Sequence, residues 1–282
     1  MLTSWGRTLQ KARGPQTVAR FTFLFGTNGF GKNTDSITQH RSGGCGVAAL
    51  LVWLRRVSCS MASLLYCVTL PTEIAGIASG VWGSAVQSRE SAGLRTYWSE
   101  IASPEAFLGE PDALKKARLQ FHQVLREILA ATTPIPFRFP TLLESEAILA
   151  QTIASEQELY RAALERIGEA LQYEIIASWE GDERADLATP VSGSEYRKRR
   201  QQVMARVNAV DTKLKNVTAG SVREWRARQE RKTHHWFALV PRDCREHFVT
   251  SLRNAGASEG VRLRLNGPQP PGEFVFPVAQ GG

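Results

Sequence analysis

The chain has 282 residues, of which 43% are hydrophobic, and a formal net charge of +8. These values exclude a globally disordered chain and fit one large or two ordinary globular domains. Residues 1–60 hold eight basic side chains and one acidic side chain, so the other 222 residues carry a net charge of only +1. The overall charge is therefore no reason to predict a nucleic-acid-binding or membrane-surface protein.

Residues 1–60 differ in composition from the rest of the chain. Their one apolar run, Val47 to Leu54, has eight residues and is well short of the ~20 residues that span a bilayer. Arg55 and Arg56 follow this run, whereas a signal peptide carries its positive charge before it. A strand-like sequence begins at Met61. We therefore expect residues 1–60 to be an unstructured or spurious extension, with Met61 as the true start.

One motif within this extension resembles a phosphate-binding loop. Gly26 is followed after four residues by Gly31 and Lys32, behind an apolar strand-like run. The Ser or Thr that would bind magnesium is replaced by Asn33, and glycines from Gly43 onwards interrupt the expected helix. We interpret the motif as a coincidence in a glycine-rich segment, and nucleotide hydrolysis is the weakest of the alternative functions.

The first half of the remaining chain predicts strands followed by a helix. An apolar strand begins near Ser63 and stops at Pro71, and two shorter strands follow it. A helix is predicted from Pro111 to Ala130, because its apolar residues recur at spacings of three and four. The two shorter strands are predicted at Ser84–Gln87 and Leu94–Ile101.

The most distinctive stretch is Thr133–Thr141, with the sequence TPIPFRFPT. Its prolines disfavour a helix, so we predict a buried strand. In a strand, Phe137 and Phe139 point to one face and Arg138 points to the other. We expect both rings in the core of the N-terminal part, and we expect Arg138 to pair with a carboxylate.

The second half predicts helices, a polar linker at 180–194 and short strands. The basic helix 195–232, capped by Ser194 and broken near Gly220, has an apolar seam with heptad-like spacing. This seam consists of Val203, Val207, Val210, Leu214 and Val217. The other elements are a helical region at Leu143–Leu171, a strand at Tyr173–Trp179, a strand at His235–Val240, a short helix at Asp243–Asn254 and a strand at Val261–Leu265.

These elements predict an α+β fold with two domains. A small α/β N-terminal domain is expected over residues 61–142. A ferredoxin-like α+β domain with long helices is expected over residues 143–276, because the strands and helices from Tyr173 onwards follow a β-α-β-α-β order. Residues 277–282 form a tail.

No group of residues predicts a catalytic or metal site. His234, His235, Cys244 and His247 are close in sequence, but adjacent histidines on a strand point to opposite faces. Neither Cys67 nor Cys244 has a histidine at an informative spacing, and no nucleophile elbow is present. The carboxylates that occur two apart in helical sequence do not share a face. We expect no enzymatic activity, cofactor or small-molecule substrate.

The basic helix leaves an alternative function open. Residues 195–232 carry twelve basic and four acidic side chains, and the run from Arg197 to Arg200 is entirely basic. Such a helix could bind the phosphates of nucleic acid or of anionic lipid. Basic runs on helices are more often a solvated face, and the aromatic residues that stack on single strands are missing. Residues 61–194 carry a net charge of −8, so the two charge blocks could face each other or serve separate partners.

Four short motifs, in the same order, resemble those of the gas vesicle protein GvpL/GvpF family. Members typically begin with a Y-x-Y-G-I strand, whose loose counterpart here is Leu65–Val68. They also carry P-F-R-F-G-T, S-G-x-x-Y-L-x-x-R and G-P-W-P-P-Y-x-F motifs. The matching residues are Pro136, Phe137, Arg138, Phe139 and Thr141, then Ser192, Gly193, Tyr196 and Arg200, then Gly267, Pro268, Pro270, Pro271 and Phe274. This chain departs from the family pattern at Pro140, Arg197, Gln269 and Gly272.

The resemblance covers residues 61 to 276 and carries the functional expectation. It implies an accessory or minor structural protein of the gas vesicle, a buoyancy organelle of the cytoplasm. The expected partners are the small hydrophobic wall protein and other accessory subunits, and the expected role is to assist vesicle assembly. The resemblance gives the motif residues a structural or interaction role, and it implies no catalysis, membrane or nucleic acid. Four irregularly spaced cysteines also fit a reducing compartment.

Overall fold

The structure is a computed structural model that describes residues 61–74, 76–77, 79–104, 110–179, 193–230, 233–255 and 261–276. The predictions for residues 1–60, for most of the polar linker and for the tail lie outside these residues. Two antiparallel sheets and five helices in the described part confirm the predicted α+β class. No helix in these ranges is long and apolar enough to cross a membrane.

The first sheet is built around one buried strand. Strand β1 pairs with β3 on one side and with β4 and β5 on the other, and β2 extends the sheet beyond β3. All residues of β1 except Met61 are buried, which its continuous apolar sequence predicts. The bounds are Met61–Thr69 for β1, Gln87–Ser91 for β2, Leu94–Ala102 for β3, Ile135–Pro136 for β4 and Leu142–Leu143 for β5.

Helix α1, Pro111–Ala131, packs on this sheet. Its bounds differ from the predicted helix by one residue, and the predicted apolar face is buried in contact with β1. The predicted strand at Ser84–Gln87 is wrong, because β2 begins at Gln87 and a short 3-10 turn occupies Val81–Gly83.

The helical region predicted at Leu143–Leu171 is two helices and the start of a strand. Helix α2 is Glu146–Ser155, and Ser145 caps it by accepting a hydrogen bond from the Ile148 amide at 3.3 Å. Helix α3 is Gln157–Ile167, and Gly168 ends it at a φ of 57°. Leu171 therefore belongs to a strand.

The second sheet has the strand order β7-β8-β6-β9 and is fully antiparallel. Along the chain, helix α4 follows β6 and helix α5 follows β8. The element order is therefore β-α-β-β-α-β. The bounds are Ala170–Trp179 for β6, Gly193–Val217 for α4, Glu224–Glu230 for β7, Thr233–Pro241 for β8, Arg245–Asn254 for α5 and Val261–Gln269 for β9.

Strand β7 corrects the prediction that the basic helix, interrupted near Gly220, extends to residue 232. Helix α4 ends at Val217, and the chain turns through Gly220 at a φ of 82° before β7 begins. Ser194 lies inside α4 rather than capping it. The seam prediction is confirmed at its centre, because Val207, Val210 and Leu214 are buried against the sheet.

The two faces of the second sheet differ in chemistry. Helices α4 and α5 cover an apolar face, to which β6 contributes Leu171, Tyr173 and Ile175. The residues between them, Gln172 and Glu174, point to the opposite face by the alternation of a strand. Both are buried. This second face, called the polar face below, also receives the C-terminal segment.

Candidate functional site

The segment 133–141 lies along β1, but it is not the continuous strand that was predicted. Cys67 and Val68 of β1 pair with Pro136 and Ile135. The Phe137 amide donates to the Tyr66 carbonyl at 2.8 Å. After Phe137 the chain leaves the ladder, and it returns at β5, so the prediction of one buried strand is wrong between the two ends.

Because of this departure, the two phenylalanines pack on different helices. Phe137 is 5% exposed, and its ring lies 5.8 Å from that of Tyr160 on α3. Phe139 is half-buried, and its ring lies 5.1 Å from that of Phe121 on α1. The prediction that both rings share one core is therefore wrong. Arg138 is exposed, and its pairing with a carboxylate stays a prediction.

Tyr66 of β1 is the centre of a buried hydrogen-bond network. Its hydroxyl donates to Ser99 Oγ at 3.1 Å and accepts from the Val81 amide at 3.0 Å. Burial raises the pKa of Tyr66 above its usual value. A Cβ on Gly80 would lie 2.6 Å from the Tyr66 hydroxyl oxygen, so a larger residue there would have to displace this network.

This network supports an exposed aromatic side chain on the adjoining turn. Trp82 follows Val81 and has a φ of 58°, a left-handed conformation that is unfavourable for a non-glycine residue. Its amide donates to Gln120 Oε1 of α1 at 3.1 Å. The Trp82 side chain is 37% exposed, and Leu119, the neighbour of Gln120, is 46% exposed. Two large apolar side chains are therefore exposed where the turn meets α1.

The C-terminal motif begins with a glycine that the packing requires. Gly267 has a φ of 139°, and a Cβ on it would lie 2.6 Å from Cδ1 of Tyr173 and 3.0 Å from the Gln172 carbonyl oxygen. The motif therefore needs glycine both for its backbone conformation and for the close approach of β9 to β6.

Three arginines hold the rest of this motif on the polar face. Arg226 lies over the Phe274 ring at 4.8 Å and donates to the Glu273 carbonyl. Arg228 forms an ion pair with the Glu273 carboxylate at 2.5 Å. Arg166 of α3 donates to the Phe274 carbonyl. Phe274 is fully buried as a result.

Helix α3 therefore links two of the predicted motifs. Tyr160 contacts Phe137 of the second motif, and Arg166 binds the backbone of the last motif. The third motif is placed differently. Gly193 and Arg200 lie at the start of α4, where the Arg200 side chain is exposed. Ser192 and the side chain of Tyr196 lie outside the described residues.

The sequence prediction missed a buried polar cluster next to the C-terminal motif. Glu174 Oε1 lies 2.7 Å from His235 Nδ1, and Glu174 Oε2 accepts from Asn266 Nδ2 at 2.9 Å. His235 Nε2 lies 2.7 Å from Thr233 Oγ1. The only signal in the sequence was a glutamate between apolar residues of a buried strand, YEII.

The geometry of this cluster favours a structural role. Both carboxylate oxygens of Glu174 and both ring nitrogens of His235 are occupied by neighbouring side chains, which leaves none for a substrate. His234 points to the apolar face, where its ring lies 6.3 Å from that of Trp236, and burial lowers its pKa. Within the described ranges, no three His, Cys, Asp or Glu residues are placed to hold a metal ion.

Comparisons with known proteins give the family. The pattern of the family "Gas vesicle synthesis protein GvpL/GvpF" matches residues 62–276. The fold is similar to the crystal structure of GvpF from Anabaena sp. PCC7120, with a TM-score of 0.61 and 15% identity, covering 77% of this chain and 99% of that one. GvpF from Microcystis aeruginosa gives a TM-score of 0.60 and 15% identity, with 76% and 99% covered. A comparison with curated proteins gave no match. Since the family pattern spans most of its length, the chain belongs to the gas vesicle synthesis protein GvpL/GvpF family.

Proposed function

We propose that this protein is a gas vesicle accessory or minor structural protein. It works in the cytoplasm, where it binds the small hydrophobic wall protein and other accessory subunits and assists assembly of the vesicle. The observation that carries the proposal is the family match over residues 62–276. The similarity to two GvpF crystal structures, which covers 99% of each of those chains, supports it at the level of the fold.

The proposal includes a division into two domains, at 61–142 and 143–276. The second domain would be ferredoxin-like, because its β-α-β-β-α-β order and its strand order β9-β6-β8-β7 fit that arrangement. Helix α3 would form the junction, since Tyr160 contacts the second motif and Arg166 binds the last. In this view the second and last motifs hold the domains together, and the motif at the start of α4 serves an interaction.

The surface around Trp82 is the best candidate for contact with the hydrophobic wall protein. Trp82 and Leu119 are among the largest exposed apolar side chains of the described part. Tryptophan is enriched among the residues that contribute most to protein interfaces. The left-handed backbone at Trp82 holds the side chain at the surface at a conformational cost, which is typical of functional positions.

A capture experiment with the full chain tests this proposal. The tagged protein is co-expressed with the wall protein and the other accessory subunits, and we expect it to retain them. Trp82→Ala combined with Leu119→Ser should reduce capture of the wall protein at least tenfold. Leu70→Ser, at an exposed leucine directly after β1, is the matched control. Retention of none of these partners would overturn the function, and unchanged capture by the double variant would overturn this surface only.

The alternative function, phosphate binding by the basic helix, has fewer available cations than the sequence indicates. Arg223 donates to the Ile167 carbonyl at 2.7 Å, and Arg226 and Arg228 bind Glu273. The alternative therefore depends on the start of α4. Reversal of all four basic residues from 197 to 200 to Glu should abolish a salt-sensitive complex with nucleic acid. A complex that persists after this reversal, or that does not depend on salt, would exclude the alternative.

A further inference from the structure

Two exposed helix faces of opposite charge remain unexplained by the contacts within the chain. The first lies on α3, where Leu159, Ala162, Glu165 and Arg166 are exposed and cover about a third of the helix circumference. The charge of Arg166 is paired with Glu224 at 2.9 Å. Glu158 also lies on this face, paired with Arg161 at 3.2 Å. This face, called the acidic face below, combines a 39% exposed leucine with carboxylates.

The second face lies on the N-terminal half of α4. Residues at helical spacing form an exposed face there, and at its centre is the side chain of Met204, which is 39% exposed. Two arginines, Arg197 and Arg200, lie on its N-terminal side. This face is called the basic face below, and it consists of Arg197, Arg200, Gln201, Met204, Ala205 and Asn208.

The two faces fit each other when the helices run antiparallel. If Ala162 lies opposite Met204, then Glu165 is about one turn further along α3, and Arg200 is about one turn back along α4. An antiparallel arrangement brings these two positions to the same level. Viewed along its own helix axis, Glu165 is rotated away from Ala162 in the same sense as Arg200 is rotated away from Met204. Because the helices run antiparallel, both charged side chains therefore lie on the same side of the contact. The small side chain of Ala162 leaves room for Met204.

Both charged groups are available for such a contact. Neither Glu165 nor Arg200 forms a hydrogen bond or ion pair with another residue in the described ranges. The side chain of Arg197 donates to the Gly193 carbonyl of its own helix at 3.2 Å. A pairing of Glu165 with Arg200 would therefore break no ion pair among the described residues.

The two faces cannot meet within one molecule. Helix α4 packs on the apolar face of the second sheet through Val207 and Leu214. The end of α3 is fixed at the other side of that sheet, because Arg166 pairs with Glu224 at 2.9 Å and binds the segment on the polar face. The sheet therefore separates the acidic face from the basic face.

We propose that a second copy of this chain is the partner, with the basic face of α4 in one copy packed against the acidic face of α3 in the next. The contact joins two different surfaces, so it is head-to-tail and continues from copy to copy, as an open chain or a closed ring. Two helices in contact over about three turns bury less area than a standard interface, so the association is weak and salt-sensitive. The proposal does not depend on the wall-protein surface described above.

Sedimentation velocity of the full-length protein tests the pairing, at concentrations from roughly 10 to 500 μM, the range in which a weak contact of this size is detectable. The wild type should shift to larger species as the concentration rises, and the shift should decrease at high salt. Arg200→Glu should remove at least nine tenths of the association. Arg206→Glu, the same change on the opposite side of α4, should leave it unchanged. The double variant Glu165→Arg/Arg200→Glu should associate again, because the charges are exchanged.

A mixture of the two single variants, Glu165→Arg and Arg200→Glu, should also associate although neither does so alone. A wild type that stays monomeric over the whole range would overturn the proposal. Association that survives Arg200→Glu would overturn it too. Loss in Arg200→Glu without recovery in the double variant would show that α4 contacts some other surface, which likewise contradicts this pairing.

Discussion

The two proline-rich segments of this protein, 133–141 and 266–276, dock on their sheets in opposite ways. Each contains one cis peptide bond before a proline. The first segment is held by backbone pairing with β1 and by the insertion of Phe137 next to Tyr160. The second segment is held mainly by arginine side chains that bind its carbonyls and the carboxylate of Glu273.

The two segments are therefore stabilised by different interactions, apolar packing in the first and charged hydrogen bonds in the second. The first segment depends on the volume of apolar side chains, so it should respond to cavities and not to salt. The second depends on charged hydrogen bonds around a nearly buried carboxylate, so it should respond to loss of a charge. Substitutions in the two segments can therefore show whether the distinction holds.

The largest effect is expected from Phe137→Ala in the first segment. Removal of a buried aromatic ring should lower the free energy of unfolding by about 3 to 5 kcal/mol. Urea unfolding of the full chain measures the change. Phe139→Ala is the matched control, and its effect should be smaller because that ring is only half-buried. Equal effects of the two substitutions, or a loss below about 1 kcal/mol at Phe137, would mean that the apolar insertion does not hold this segment.

A smaller effect is expected from Gly267→Ala at the start of the second segment. The added Cβ would lie 2.6 Å from the Tyr173 ring at a φ of 139°, so backbone strain and a steric clash both act. We expect a loss of about 2 to 3 kcal/mol in urea unfolding. Gly193→Ala is the control, because a Cβ there meets no atom within 4 Å. A neutral Gly267→Ala would show that β9 does not approach β6 as closely as described.

Glu273→Gln tests the charged contacts of the second segment with a still smaller effect. The substitution keeps the shape of the side chain but removes the charge that Arg228 binds. Because Glu273 is only 7% exposed in its side chain and Arg228 is a third exposed, we expect a loss of about 1 to 2 kcal/mol. Glu165→Gln, at an exposed position, should change stability by less than about 0.5 kcal/mol. The difference between wild type and Glu273→Gln should shrink at high salt, and a constant difference would assign the effect to packing instead.

The contrast between local apolar patterns and contacts of distant residues also explains which parts of the fold could be predicted from the sequence. Apolar periodicity located α1 to within one residue and identified the buried centre of the α4 seam. The prediction that side chains alternate between two faces of a strand was wrong in the segment 133–141, because the chain leaves the β-ladder after Phe137. No local signal marks such a departure. Strand β7 was missed because its sequence EWRARQE is rich in residues that also favour a helix, and only the pairing with β8 makes it a strand.

The site could be predicted in part. The motif resemblance identified the segments that dock on the two sheets, but it did not show how they are held. The contacts of Arg166 and Arg228 join residues far apart in the chain, for which a single sequence carries no signal. The same holds for Glu174 and His235, which lie on different strands and meet only after the second sheet forms.

The smallest expected effect concerns adjacent histidines on the two faces of this sheet. His235 is bound by Glu174 on the polar face, whereas His234 lies near Trp236 on the apolar face, where burial lowers its pKa. A histidine with a lowered pKa in the folded state binds fewer protons there than in the unfolded state. Its contribution to stability is therefore complete above the ordinary histidine pKa of about 6.5 and is lost as the pH falls below that value. The stability lost between pH 8 and pH 5.5 should be smaller in His234→Phe than in the wild type, as measured by urea midpoints. An unchanged pH dependence in His234→Phe would show that apolar burial does not control this group.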